Sequence, residues 1–358
     1  MFTIEKIKTA VNRFLTNITF QFVFWVIAYM FYVFLTGDNN IINNFSQQAQ
    51  IYPVYLFIVY VAVSTSLLFL VIDILFNDKV NRFFPIQLTL LIKSVLYFLS
   101  AFVIIFAASI PATGLPQNYT YSELILQIPD TNIYLFRFLI FFYIACFLNS
   151  LLKDVFTKIG RGNLKNWFFG ALNKPREEER IFMFIDLKSS TAIAEALRHK
   201  KFSHLIQDLF NDLAIVDNYK GEIYQYLGDG AIISWTIKSG LMRNNFIRSF
   251  FAVSKVLENR KRYYNRKYKL TPQFKAGVHV GKVMVLQIGK IRRDISYNGD
   301  TMNTAARIES KCNELKSNLL ISGVLYEMIQ NKKQYKFKSA GEIQLKGKRK
   351  PMEIYKVI

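Results

Sequence analysis

The chain has 358 residues, 52% of them hydrophobic and 16% aromatic, with a formal net charge of +21. Two cysteines, Cys146 and Cys312, exclude a disulfide framework and a cysteine-rich metal site. The length suits two or three domains, and the charge suits an anionic partner: a lipid headgroup, a nucleotide or a nucleic acid.

The apolar excess lies in residues 1–152. Four runs there, Ile18–Leu35, Val54–Phe76, Pro85–Ile110 and Ile133–Leu152, match the roughly 20 apolar residues that cross a bilayer. No small-residue cleavage site of a signal peptide follows the first run. Lys6, Lys8 and Arg13 precede it, whereas loop 36–53 holds no Lys or Arg. Loop 77–84 holds Lys79 and Arg82, loop 111–132 again holds none, and Lys153, Lys158, Arg161 and Lys165 follow the fourth run. This alternation predicts four transmembrane helices over 1–152, in an integral membrane protein of the bacterial inner-membrane kind with both termini in the cytoplasm. Asp73 and Lys93 sit toward the cytoplasmic ends of adjacent runs and are expected to pair. The alternative is that Lys93 snorkels to the interface, as Arg137 is expected to do near the outer end.

Residues 153–175 read as a cytoplasmic linker. Basic and aromatic residues are mixed there, Gly160, Gly162, Gly170 and Pro175 interrupt any long helix, and the mixture suits the surface of an anionic bilayer.

From 176 to 358 the pattern becomes globular. "IFMFI" ahead of Asp186 predicts a strand over Arg180–Asp186 buried on both faces. Helical patterns follow over Thr191–Lys220. "EIYQYLGDGAIISW" predicts two strands joined by a tight Gly-Asp-Gly turn. Residues 241–266 read as a basic amphipathic helix, "FKAGVHVGKVMVLQIG" as two strands around Gly281, and "NGDTMNTAARIESKCNEL" as a helix. "LLIS", "EIQLKG" and "EIYKVI" read as closing strands. Helices interleaved with hairpins imply an α+β sandwich.

Asp186 ends the first strand, and Asp229 occupies the hairpin tip. If strand and hairpin are neighbours in one sheet, both carboxylates project from one edge and repel unless a cation lies between them. Oxygen ligands at a strand edge suit Mg²⁺ or Mn²⁺ shared with substrate phosphates, the arrangement of phosphoryl transfer. The alternative is that Asp186 caps the helix starting near Thr191 and Asp229 only makes a turn.

Four ordered segments, "FIDLKSST", "YLGDGAI", "SYNGDTMNTAARIES" and "IQLKGKRKPMEIYKV", give the stretch from Arg180 to Ile358 a resemblance to the catalytic domain of class III nucleotidyl cyclases. The resemblance implies a ferredoxin-like α+β fold and conversion of ATP to 3′,5′-cyclic AMP and pyrophosphate. It implies Asp186, Asp229 and the Leu187 carbonyl as ligands of two Mg²⁺ or Mn²⁺ ions. Asn303 and Arg307 resemble the pair that orients the ribose and stabilises the transition state, and four-residue spacing puts them on one helix face. Lys346 resembles the lysine that holds the terminal phosphates, with Lys348 a possible substitute. The backbone N–H groups of Ser189, Ser190 and Thr191 open a helix and suit phosphate oxygens. Gln225 and Ser296 occupy the purine-reading positions. Gln225 stands where adenylyl cyclases carry lysine and guanylyl cyclases glutamate, so ATP is favoured and GTP stays an alternative. Asp294 is close enough in register for a shifted pairing. In the family, metals and transition-state residues come from two domains, so a chain with both sets implies a homodimer.

Three further features have plain readings. The run "NRKRYYNRKYK" reads as a solvated or membrane-facing helix, not a nucleic-acid site. Arg292 and Arg293 read as loop residues that could meet phosphates. His199, His204 and His279 read as structural or surface residues. Beside the adenylate cyclase stand a guanylate cyclase, a non-catalytic nucleotide-binding relative and a membrane receptor with cyclase output.

Overall fold

The computed structural model describes residues 2–36, 54–75, 88–100, 131–159, 175–289 and 294–358. The three loops between the apolar runs, most of the 153–175 linker, and Arg292 and Arg293 lie outside the described residues. The chain divides into two compact units, Met1–Leu164 and Lys165–Ile358.

In the first unit the apolar runs form α1 (Phe2–Thr36), α2 (Val54–Leu75) and α3 (Thr131–Ile159), with further helix at 88–100. Among the described residues no helix is long and apolar enough to cross a membrane, and residues 101–110 of the expected third span lie outside them. The unit is apolar on its outside. Val23, Ile27, Met30 and Phe34 of α1, Val63, Leu67 and Val71 of α2, and Phe136, Ile140 and Ile144 of α3 are all exposed. Its interior holds an aromatic cluster built on Trp25, Phe69, Tyr97 and Phe142 beside polar Gln21, Thr65, Ser66 and Asn149. The Asp73 carboxylate accepts from Tyr97 Oη and Gln21 Nε2 and pairs with Lys153, while Asn149 Nδ2 donates to Gln21 Oε1 at 2.8 Å. Lys93, the partner expected from the sequence, is buried in the same unit. Helix α3 runs on past Leu152 to Ile159, so Lys153 belongs to the bundle and not to the linker.

The second unit is one eight-stranded sheet: β1 (Arg176–Leu187), β2 (Glu222–Leu227), β3 (Gly230–Thr236), β4 (Phe274–Ile288), β5 (Asp294–Asn298), β6 (Leu319–Ser322), β7 (Phe337–Ile343) and β8 (Met352–Val357). The order is β2-β3-β1-β4-β6-β8-β7, with β5 hydrogen-bonded to β4, and only β4–β6 is parallel. Helices α4 (Ser190–Leu213), α5 (Ile237–Leu241), α6 (Asn245–Asn259), α7 (Lys261–Tyr268), α8 (Asp300–Ser310) and α9 (Gly323–Met328) accompany it. The β1-α4-β2-β3-α6-β4 succession with order β2-β3-β1-β4 is the ferredoxin-like arrangement.

Two-residue alternation on β1 explains its unbroken apolar run. Ile181, Met183, Ile185 and Leu187 face α4, α6 and α7, while Phe182 joins Ile232, Val285, Tyr297 and Ala305 on the other face, where α8 and β5 pack. Two expectations need correction. Residues 274–288 form one strand, not two: Gly281 makes no turn. A Cβ at Gly281 would stand 2.7 Å from Thr301 Oγ1, and one at Gly277 2.1 Å from the Glu309 backbone nitrogen. Both glycines exist so that α8 can lie on β4. The single helix expected over 241–266 is instead broken: Arg243 and Asn244 take left-handed conformations and α6 ends at Asn259. The run 259–269 serves packing. Asp208 of α4 accepts from Tyr263 Oη, Tyr268 Oη and Lys267 Nζ at 2.6–2.9 Å, and Asp212 accepts from Tyr264 Oη and Arg260.

Candidate functional site

The antiparallel registers place Asp186 opposite Gly230 of β3 on one side and Lys275 of β4 on the other. Asp229 lies in the two-residue turn that ends at Gly230. A Cβ on Gly230 would stand 2.6 Å from the Ile185 carbonyl oxygen and 3.1 Å from Asp186 Oδ1, so only glycine lets the hairpin tip close on the strand end. The two carboxylates are therefore neighbours, as the sequence suggested. Burial, then the Asp229 charge and then Glu309 push the Asp186 carboxyl up to about 6, against the opposing pull of Lys275. Asp186 is no helix cap. Ser189 occupies the cap position of α4 with φ of 55°, and no side chain caps there.

Lys275 was not singled out from the sequence. Its Nζ stands 3.4 Å from Asp186 Oδ2 and 2.8 Å from Glu309 Oε1, with its side chain only 12% exposed. A lysine within an otherwise apolar strand was the available signal. Leu187 is buried and in register with Phe274. Ser190 begins α4, where first-turn N–H groups have no partner within the helix.

Helix α8 buries Thr301, Thr304, Ala305 and Ile308, leaving Asn303 exposed and Arg307 half-buried on its outer side. Asp300 at its start pairs with Lys348, lies 3.8 Å from Arg307 Nη1 and accepts from Thr304 Oγ1. The lysine first of all holds the Asp300 carboxyl below its ordinary value. Gly347, between the two candidate lysines, lies against Arg307: a Cβ there would be 3.3 Å from Nη2. Lys346 is exposed, and no described residue hydrogen-bonds or pairs with it. No hydrogen bond or ion pair among the described residues joins Asn303, Arg307 or Lys346 to Asp186 or Asp229. Asn303 is six residues, or about 9 Å of helix, from Glu309 at the carboxylate end.

Gln225 lies on β2 beside a register shift at Tyr224, and Ser296 lies on β5 opposite Leu286. Three strands separate β2 from β5 in sheet order, yet the rings of Tyr224 and Tyr297 meet at 4.9 Å. The two positions expected to read the purine thus flank one contact. Ser296 Oγ donates to Asn298 Oδ1 at 2.9 Å. Asp294 starts β5, opposite Ile288. His279 is packed: it is buried, bonded to Ser322 Oγ at 2.8 Å, and lowered to about 4 by its burial.

Among the described residues no group of three or more His, Cys, Asp or Glu could hold a metal ion. Two carboxylates and a backbone carbonyl nonetheless fit a hard cation that completes its shell with substrate phosphate oxygens and water. Burial raises the Asp186 carboxyl most, and the repulsion from Asp229 and Glu309 that adds to it is what such an ion would relieve.

Residues 172–358 match the sequence pattern of the adenylate and guanylate cyclase catalytic domain. Adenylate cyclase 2 of Rhizobium meliloti is 32% identical over 191 residues, covering 53% of this chain and 53% of that protein. Adenylate cyclase 1 of the same organism is 27% identical over 206 residues, covering 55% of this chain and 30% of that protein. The chain spans about half the length of the first and under a third of the second. The crystal structure of the adenylyl cyclase CyaB from P. aeruginosa aligns over 52% of this chain and 96% of its own, at 21% identity and a TM-score of 0.45.

Proposed function

The chain belongs to the adenylate and guanylate cyclase catalytic domain family, and from that premise we propose that it converts ATP to 3′,5′-cyclic AMP and pyrophosphate. The observation that carries the proposal is the nearness of Asp186, opposite Gly230 in the β1–β3 register, to Asp229 in the turn just before that glycine, in the unit whose α8 presents Asn303 and Arg307 outward. Asp186, Asp229 and the Leu187 carbonyl would hold two Mg²⁺ or Mn²⁺ ions, which would lower the pKa of the ribose 3′-hydroxyl and neutralise charge on the leaving pyrophosphate. Asn303 orients the ribose. Arg307 stabilises charge on the α-phosphoryl group, a role whose removal costs roughly 10²–10³ in rate. Lys346 has no competing partner and grips the terminal phosphates. Lys348 is already engaged by Asp300, which favours Lys346 for that task. The N–H groups of Ser189, Ser190 and Thr191 receive phosphate oxygens. Lys275 keeps the Asp186 carboxylate in place between Glu309 and the strand end.

The presence of both residue sets in one domain, where the family draws them from two, supports a homodimer, with each site drawing metals from one protomer and Asn303 and Arg307 from its partner. Anchoring in a lipid bilayer is supported by the alternating charge of the loops and by the exposed apolar side chains around a partly polar interior. The reading of ATP over GTP is supported by the lack, at Gln225, of the glutamate of guanylyl cyclases, and by the names of the two Rhizobium relatives as adenylate cyclases.

The test is product formation by purified full chain with Mn²⁺ and either ATP or GTP, against Asp186→Ala. Cyclic AMP from wild type alone supports the proposal. Cyclic GMP as the main product replaces the substrate, and no cyclic nucleotide from a folded dimer that binds ATP ends the enzyme reading.

A further inference from the structure

Taking ATP cyclisation as proposed above, on which this step rests, we infer that Asn298 sets the purine choice by fixing the direction of the Ser296 hydroxyl proton. Strand β5 is firmly placed. Tyr297 is buried, 4.9 Å from the Tyr224 ring and 5.4 Å from Phe182, with the Arg180 guanidinium 5.1 Å from its ring centre. Ser296 and Asn298 flank Tyr297, so alternation puts both on the opposite side of the strand, facing the same way. There Ser296 Oγ donates to Asn298 Oδ1 at 2.9 Å.

A hydroxyl has one proton and two acceptor lone pairs. With the proton committed to Asn298, Ser296 offers a bound base an acceptor only. At the purine 6-position adenine carries an amino donor and guanine a carbonyl acceptor. The committed hydroxyl therefore matches adenine and sets a lone pair against guanine. Gln225 carries both an amide donor and an amide acceptor, and a turn of its side chain suits either base. Discrimination falls to Ser296, and Asn298 is the positioning residue behind it.

The experiment measures kcat and KM for ATP and GTP, with Mn²⁺, on the full chain and on Asn298→Ala, Asn298→Asp, Ser296→Ala and the Ser296→Ala/Asn298→Ala double variant. Asn298→Ala releases the proton, and the ATP:GTP ratio of kcat/KM falls roughly 3- to 10-fold, mostly through KM. Asn298→Asp remains an acceptor and keeps the wild-type ratio. In the Ser296→Ala background, Asn298→Ala moves the ratio no further. An unshifted ratio in Asn298→Ala, or the same shift with and without Ser296, overturns the role of Asn298 while leaving ATP as substrate. A ratio that Asn298→Asp changes as much as Asn298→Ala overturns it too. A wild type that prefers GTP overturns the substrate reading itself.

Discussion

At the scale of single residues, Asp186 is a carboxylate at the end of an apolar strand. Its placement costs stability. The carboxyl is raised from 3.8 to about 6, so the folded state binds a proton that the unfolded chain releases. The penalty is absent below about pH 4, grows between about 4 and 6, and is complete above. In chelator, Asp186→Asn is predicted to stabilise the full chain by about 1–3 kcal/mol at pH 7.5 and to be neutral at pH 3.5. Thermal unfolding at the two pH values checks this, and a variant that is less stable at pH 7.5 contradicts it. Mn²⁺ is predicted to raise the midpoint of wild type and not that of the variant.

At the scale of elements, the packing of α8 against β4 decides where Asn303 and Arg307 stand. Gly277 and Gly281 permit it, and a Cβ at Gly277 meets backbone, which cannot swing aside. Gly277→Ala is predicted to cost about 3 kcal/mol or more and to abolish activity, whereas Gly228→Ala, with open space around it, costs only the strain of a left-handed residue. Equal denaturation midpoints for the two variants would contradict this. The same helix shows what a sequence can and cannot display. The hairpin around Asp229 was legible because its turn chemistry is local. The face shared by Asn303 and Arg307 was legible because helical spacing is local. Gly281 was misread as a turn because its reason, the approach of Thr301, lies 20 residues away. Lys275 escaped notice because its partners, Asp186 and Glu309, become neighbours only through the register of β1 with β4 and the seating of α8. Lys153 was assigned to the linker because an apolar run stops at Leu152, although the helix does not.

At the scale of the whole molecule, the two units are expected to divide the work. The N-terminal unit, with its apolar exterior, is predicted to stay in carbonate-washed membranes; release into the supernatant would contradict a bilayer anchor. Held in one membrane, two copies meet at raised effective concentration, which favours a site made from both. The central claim is that shared site, and mixing tests it most directly. Asp186→Ala and Asn303→Ala chains, each nearly inactive alone, are co-expressed in equal amounts and assayed for cyclic AMP. Random pairing makes half of the dimers mixed, each with one intact site of two, so activity returns to about one quarter of wild type. No recovery from folded, mixed dimers would show that each chain completes its own site and would contradict the account.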